Sequence, residues 1–206
     1  MNKYEIVKEQ LVFRMVSLKN IPENVPFKVV CGDMAVTCSI EVAQTEEQST
    51  NILITYDVMK KLGVTKEQLF HDAALYAPKN RPASLRDLGS VMCEIIGEGF
   101  IVPDSPLMVA CVKGSVHGAA AICYPGFLEK IYDKVGSFFI IPSSVHELLI
   151  IQDEYAPCVS ELNSMIQSIN RTEVMPHERL SDIAYHYDGV SIETAVEYER
   201  RIRRSA

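Results

Sequence analysis

Residues 138–151 read FFIIPSSVHELLII, two short apolar runs joined by a polar turn. A strand with one face in water alternates apolar and polar side chains, whereas residues 138–141 and 148–151 are apolar at every position, so both faces of each run need cover. The runs are too short for helices, and Pro142 with the two serines after it is typical of a turn. The stretch therefore predicts an antiparallel hairpin buried inside a sheet.

Further elements are predicted on both sides of this hairpin. Before it, apolar spacing and caps predict an amphipathic helix at 3–18, helices at 58–62 and 65–76, a helix at 85–96 capped by Ser84, and a helix at 127–135. In the same part of the chain, strand and turn signals predict two hairpins, one from strands within 27–42 and at 52–56 and one from strands at 107–112 and 119–124. After it, they predict a helix at 157–170, a strand at 183–187 and a closing helix capped by Ser191.

The order of these elements predicts an α+β fold. Because strands do not alternate regularly with helices, they favour a predominantly antiparallel sheet, built from hairpins with helices packed against it, over a doubly wound α/β fold. At 206 residues, a single domain spanning residues 1–206 is expected, and a smaller helical lobe at 57–97 is the alternative.

Composition limits the classes of partner. No run of about 18 apolar residues is present and the chain opens with a polar stretch, so we expect a cytoplasmic protein without membrane contact. The formal net charge is −7, and residues 1–199 carry 16 basic against 27 acidic groups, or −11, because four arginines lie in the last seven residues. The four arginines are Arg200, Arg201, Arg203 and Arg204. The acidic charge of the rest of the chain argues against nucleic acid as the partner.

Cysteines and histidines do not form a metal-binding pattern. The six cysteines include no Cys-x-x-Cys pair and mostly lie in apolar runs, so reduced structural thiols are expected. His146 and Glu147 begin like the helix of a zinc protease, but that motif needs a second histidine where Ile150 stands. The five histidines are scattered, and no Cys/His pair has ligand spacing. We therefore expect no metal and no other cofactor.

The turn of the central hairpin is the first place to expect a site, because burial of its arms does not require its polar groups. Side chains two apart on a strand, such as Ser144 and His146, lie roughly 6 to 7 Å apart, whereas proton transfer needs about 2.6 to 3.2 Å. Serines that bond to the backbone of the turn are the alternative. The candidate ligand-binding residues at the turn are Ser143, Ser144, His146 and Glu147.

Three residues from other elements complete this candidate set if folding brings them to the same edge of the sheet. They are Tyr124, Asn170 and Arg171. Instead of binding a ligand, Asn170 could end the preceding helix in the left-handed conformation, and the Arg171 side chain could face solvent. No catalytic residue is assigned, because no complete catalytic group of side chains is present.

Short motifs along most of the chain carry a family resemblance. They are Tyr4-x-x-Val7-Lys8, Leu62-Gly63-Val64-Thr65-x-Glu67-x-Leu69, Gly118-Ala119-Ala120 with Tyr124-Pro125-Gly126, Ile141-Pro142-Ser143-Ser144-Val145-His146-Glu147, and Leu180-Ser181-Asp182 with Tyr185 and Tyr187-Asp188. In order and spacing, from about residue 4 to residue 198, the chain resembles a domain-of-unknown-function family found mainly in Gram-positive gut Firmicutes. The resemblance implies a cytosolic bacterial protein with no established activity.

The same resemblance carries two further expectations. Family members usually have a further stretch ahead of the position of Tyr4, so the resemblance implies a short or trimmed member. The family pattern has an aromatic residue at the position of His186, which argues against a functional role for that histidine.

Two functional hypotheses follow from these observations. The leading one is a non-enzymatic cytosolic binding or interaction protein, because the apolar segments can form a hydrophobic core and the sequence contains no complete set of catalytic side chains. Its partner would be another protein or a small ligand, and a homo-oligomer stays open. The alternative is a small hydrolase-like enzyme with its site around the turn at 142–147.

Overall fold

The computed structural model describes residues 3–44, 49–97, 105–114 and 116–205. Its strands form two antiparallel sheets with helices packed against them, so the predicted α+β class is confirmed. The strands are β1 (Leu11–Ser17), β2 (Phe27–Cys31), β3 (Met34–Gln44), β4 (Ser49–Leu53), β5 (Ala83–Asp87), β6 (Leu107–Val112), β7 (Phe138–Pro142), β8 (Leu148–Gln152), β9 (Tyr185–Tyr187) and β10 (Ile192–Thr194). The α-helices are α1 (Lys3–Val7), α2 (Tyr56–Leu62), α3 (Lys66–Asn80), α4 (Leu88–Ile96), α5 (Phe127–Val135), α6 (Val159–Thr172) and α7 (Ala195–Ser205).

The strands are divided between the two sheets by their position in the chain. In the first sheet, β3 pairs with β1, β2 and β4. The second sheet has the order β10-β9-β7-β8-β6-β5. The amino-terminal strands therefore build a sheet of their own, in place of the single sheet expected from the sequence.

The hairpin of residues 138–151 lies in the middle of the second sheet, as predicted. Its strands β7 and β8 pair in register from Phe138 opposite Gln152 to Pro142 opposite Leu148. Phe138 belongs to the main core, whereas Phe139 belongs to a smaller core cluster that contains residues of α6. Both faces of the hairpin are therefore covered, which is the physical reason why its arms do not alternate.

The helix predicted at 3–18 is wrong beyond Val7. A 3-10 turn follows α1 at Lys8–Gln10, and β1 then pairs with β3 along its whole length. Leu11 and Met15 suit both a helical stripe and one face of a strand, so their spacing alone did not separate the two. The partner strand decides the outcome, because it satisfies the backbone groups of a segment that the core buries.

Two more elements differ from prediction because their partners are distant in the chain. Residues 83–87 form β5 beside β6, and α4 starts only after Asp87, whose carboxylate accepts a hydrogen bond from Ser90 N–H at 2.6 Å. Ser84 is therefore not a helix cap. The strand predicted at 119–124 is a 3-10 helix at Gly118–Cys123, and β6 pairs with β8 instead.

The remaining elements lie close to their predicted positions, with shifted ends. Helix α2 ends at Gly63 in the left-handed conformation, Thr65 caps α3, and α5 matches its predicted bounds. Helix α3 continues through Pro78 to Asn80, and α6 lies two residues further along the chain than predicted. The strand expected at 52–56 is β4 followed by the start of α2, and the strand expected at 183–187 is the shorter β9. Thr194 rather than Ser191 caps α7.

The core connects the two sheets. Its larger cluster contains side chains of β1 and β3 from the first sheet, of β7 and β8 from the second, and of α3 and the 3-10 helix at Gly118–Cys123. Aromatic contacts run through this junction. The ring of Phe13 stacks on that of Phe70 with 6.2 Å between the ring centroids, and its centroid lies 6.5 Å from that of Tyr124. Residues at the junction are therefore positioned by both sheets at once.

Candidate functional site

The turn at 143–147 is held by its own polar groups. Ser144 Oγ accepts a hydrogen bond from His146 N–H at 3.0 Å, and Ser144 N–H donates to the carbonyl of Glu147 at 3.2 Å. Ser143 Oγ donates to Glu147 Oε1 at 3.2 Å. The two serines therefore bond within the turn, and neither forms a hydrogen bond with the His146 ring among the described residues.

The His146 ring connects the turn to two other segments. Its Nδ1 accepts a hydrogen bond from His117 N–H at 3.3 Å, and its Nε2 lies 3.2 Å from Glu178 Oε1. Because Nδ1 accepts, the ring proton lies on Nε2 and is donated to Glu178. Both nitrogens are thus engaged in holding segments together, which leaves neither to take a proton from Ser143 or Ser144.

The three candidates from other elements do not join the turn. Tyr124 is buried beside Phe13, and burial raises its pKa. Asn170 is also buried, and its Nδ2 donates to the Ser181 carbonyl at 2.9 Å and to Asp182 Oδ1 at 2.8 Å. Arg171 is exposed on α6. The structure therefore brings together Ser143, Ser144, His146 and Glu147 but directs Asn170 to the loop at 173–184.

The loop at 173–184 connects the turn to a cleft. The Glu178 carbonyl accepts a hydrogen bond from Val145 N–H at 2.9 Å, and the residues that follow Glu178 line a cleft of about 200 Å³. The opposite wall comes from the end of β1 and the turn between β2 and β3, so the cleft lies between the first sheet and the loop that leads to β9. Its polar lining consists mainly of Ser17, Lys19, Asp33, Arg179, Ser181 and Asp182.

Charges of both signs line the cleft. Lys19 is exposed and has no hydrogen bond or ion pair within the described part of the chain, whereas Arg179 Nε donates to the Val174 carbonyl at 2.9 Å. Asp182 accepts from Asn170, and Asp33 accepts from the Tyr185 hydroxyl, whose pKa is raised by burial and by that bond. Two cations therefore stand with two carboxylates, and the formal charge of this lining is zero.

The hydroxyl of Ser17 is an unused polar group at the wall of this cleft. Ser17 is 6% exposed, and no hydrogen bond to its hydroxyl is found across residues 3–44, 49–97, 105–114 and 116–205. Because Ser17 lines the cleft, its hydroxyl can donate or accept a hydrogen bond with a polar ligand there.

Sequence reasoning missed Ser17, Lys19 and Asp33 for a particular reason. Placing residues 3–18 in a helix left no way to bring the end of β1 beside the loop at 173–184. One signal was available, because Leu180-Ser181-Asp182 and Tyr185 are among the motifs that carry the family resemblance, and they lie in or against the cleft.

A second polar cluster lies on the other side of the second sheet. His186 is fully buried, and its Nε2 lies 3.0 Å from Asp153 Oδ1. Burial opposes ionisation of Asp153, but bonds from His186, Ser137 and Tyr198 outweigh it and lower the pKa of Asp153. The Tyr198 ring stacks on His186 at 3.5 Å. This cluster ties α7 to the sheet, and the Tyr198 ring covers one face of the buried His186 imidazole.

The described segments contain neither a cluster of metal-ligand side chains nor a membrane-spanning helix. No group of three or more His, Cys, Asp or Glu side chains in these segments has an arrangement that could hold a metal ion. None of the helices in the same segments combines the length and the apolar character that crossing a membrane requires.

Comparisons with known proteins identify a family without an activity. The model of a family of unknown function, DUF5688, matches residues 1–189, which is most of the chain. No curated protein matches the chain, and no solved structure matches it either. The match includes the turn, the loop at 173–184 and every residue named as lining the cleft. The chain therefore belongs to the DUF5688 family of unknown function.

Proposed function

We propose that this protein is a non-enzymatic binding protein and that its ligand is a small zwitterion of about amino-acid size, held in the cleft. The observation that carries the proposal is the lining of the cleft, where Lys19 and Arg179 stand with Asp33 and Asp182. Such a lining offers partners to both charges of a zwitterion, whereas a ligand with one charge would leave the occupied site with a net charge.

The size of the cleft supports a small ligand. Sites for drug-sized molecules enclose about 300 to 1,000 Å³, whereas this cleft encloses about 200 Å³. A molecule with one carboxylate, one ammonium and a short side chain suits that volume. Its carboxylate would bind Lys19 and Arg179, and its ammonium would bind the carboxylates of Asp33 and Asp182.

The hydrolase-like alternative has less support from the same geometry. A serine nucleophile needs a base within hydrogen-bonding distance, but the Ser144 hydroxyl bonds to the backbone of His146. The nitrogens of the His146 ring bond to His117 and Glu178. A binding protein requires no such base.

The proposal extends to the setting of the protein. We infer a bacterial cytoplasmic protein from Gram-positive gut Firmicutes, on the strength of the family resemblance of its motifs. All six cysteines are free thiols, which suits a reducing compartment. Fractionation of the source cell with an antibody to this chain would test the location, and recovery outside the cytoplasm would contradict it.

Binding to another protein is the alternative to binding a zwitterion.

Isothermal titration calorimetry with free amino acids and glycine betaine tests the ligand class. Acetate and ethylamine serve as probes that carry only one of the two charges. We expect at least one zwitterion to bind, and Lys19→Met to weaken it about tenfold, because one charge-assisted contact is lost. Lys61→Met, an equivalent change on the exposed face of α2, is the matched control and should bind like the unchanged protein.

Two results would contradict the proposal. One is that no zwitterion binds while the protein remains folded by circular dichroism. The other is that Lys19→Met binds as tightly as Lys61→Met. Asp33→Asn provides a second check, because it keeps the shape of the side chain and its bond to Tyr185 but removes one carboxylate from the lining.

A further inference from the structure

The face of the first sheet that carries Arg14 is unusually polar for a buried surface. Arg14 of β1 stands directly opposite Thr37 of β3, and Ser39 is the next residue of β3 on the same face. A long side chain reaches such a diagonal neighbour across two strands. Arg14 and Ser39 are therefore diagonal neighbours on the same face of the sheet.

Ser39 is a buried polar group without a partner. Ser39 is 0% exposed, and within the described segments no hydrogen bond to its Oγ is present. Thr37 on the same face is also buried, but its hydroxyl donates to the Arg14 carbonyl at 3.3 Å. Since nearly all buried polar groups in proteins are hydrogen-bonded, the Ser39 hydroxyl requires an explanation.

A buried ion pair places a third segment over this face. Arg81 is 2% exposed, its Nε donates to Glu41 Oε1 at 2.8 Å, and its Nη1 donates to the Val116 carbonyl at 2.7 Å. His117 follows Val116 and has a φ of 56°, which is rare for a residue other than glycine. Its Nδ1 is buried and has no hydrogen-bond partner among the residues that the structure describes.

The charges around His117 are mainly positive. Arg14 is half-buried and has no ion pair in the segments that the structure describes, so it adds a second positive charge beside the pair of Arg81 and Glu41. Burial, together with the charges of Arg14 and Arg81, lowers the pKa of His117 to about 3. The neutral imidazole can carry its one proton on Nδ1 and donate it.

We propose that Arg14, Ser39 and His117 form a second binding site, for a small oxyanion such as a carboxylate or a phosphate. The guanidinium of Arg14 supplies a charged fork, and the Ser39 hydroxyl and His117 Nδ1–H supply two further donors. A buried water could satisfy Ser39 and His117, but it would bring no negative charge to Arg14. The site is separate from the cleft and does not depend on the function proposed for it.

Nuclear magnetic resonance of the histidine side chains tests this site directly. The whole chain is titrated with sodium phosphate or sodium acetate at constant ionic strength, with sodium chloride as the reference salt. We expect a saturable shift of the His117 imidazole signals with an oxyanion and no saturable shift with chloride. Arg14→Gln should weaken the binding about tenfold, and Arg14→Lys should weaken it less, because it keeps the charge but loses the fork.

Ser39→Ala separates an oxyanion site from a site for water alone. It should weaken oxyanion binding severalfold, yet raise the stability of the free protein, because it removes a buried hydroxyl that has no partner. Arg171→Gln, on the exposed face of α6, is the matched control and should leave the affinity unchanged. The proposal is wrong if the His117 signals do not respond to either oxyanion, or if folded Arg14→Gln and Ser39→Ala bind like Arg171→Gln.

Discussion

At the scale of single residues, His117 is the group with the most unusual surroundings. It combines a left-handed backbone, two nearby arginines and a buried Nδ1 that has no partner in the described part of the chain. In the sequence, His117 lies only in the connection of the hairpin predicted from strands at 107–112 and 119–124. Burial and the distant arginines are tertiary properties, so no local pattern could reveal them.

The pKa of His117 predicts a specific dependence of stability on pH. Its value is about 3 in the folded protein and about 6.5 in an unfolded chain, so the unfolded state binds the extra proton between these limits. Stability should therefore fall as the pH falls from about 6.5 towards 3, by up to about 1.4 kcal/mol per pH unit. Urea unfolding at several pH values, in amine buffers with chloride, measures this slope.

His117→Asn is the variant that isolates this contribution. Asparagine tolerates the left-handed conformation and does not titrate, so the variant should lose less stability over the same pH range. Parallel slopes for the variant and the unchanged protein would show that the acid sensitivity arises at other groups.

At the scale of elements, the hairpin turn and the 3-10 helix at Gly118–Cys123 are packed through a glycine. A Cβ on Gly118 would lie 2.4 Å from the carbonyl oxygen of His146, which is a backbone atom and cannot move alone. In the sequence, this glycine lies in the connection of a predicted hairpin, directly before the strand expected at 119–124. Its actual role follows from the close approach of two backbones, which a predicted strand at 119–124 did not anticipate.

Gly118→Ala is expected to destabilise the protein strongly. The added methyl group must push the 3-10 helix away from the turn, and backbone overlap of this kind costs about 2 kcal/mol or more. Gly63→Ala is the control, because a Cβ at that position meets no atom within 4 Å. It should lower stability by about 1–2 kcal/mol, which is the cost of an alanine in the left-handed conformation. Thermal and urea unfolding compare the two variants, and an equal or smaller loss for Gly118→Ala would contradict the packing described.

The strands show where element prediction from sequence works. Residues 138–141 and 148–151 are apolar at every position, are joined by a proline turn and pair with each other, so local information was sufficient. β1 and β5 pair with strands that lie more than 15 residues away, and their local signals also suited a helix and a helix cap. Strand pairing over such distances decided both outcomes.

At the scale of the whole molecule, one core connects the two sheets. We therefore expect the chain to unfold in a single cooperative transition, in line with the single domain predicted from its length. Far-ultraviolet circular dichroism and tyrosine fluorescence should give coincident urea curves; the chain has nine tyrosines and no tryptophan. Two separate transitions would favour the independent helical lobe at 57–97 instead.

The sequence by itself determined the α+β class, the buried hairpin, most of the helices and the polar turn at 143–147, because each depends on residues that are near one another in the chain. Only the tertiary structure decided that β1 is a strand, that Asn170 faces the loop at 173–184 and that the cleft draws its charges from the first sheet's connections and from that loop. The physical reason is the same in each case. Pairing, burial and charge balance at these places depend on residues far apart in the chain, which only the folded core brings into contact.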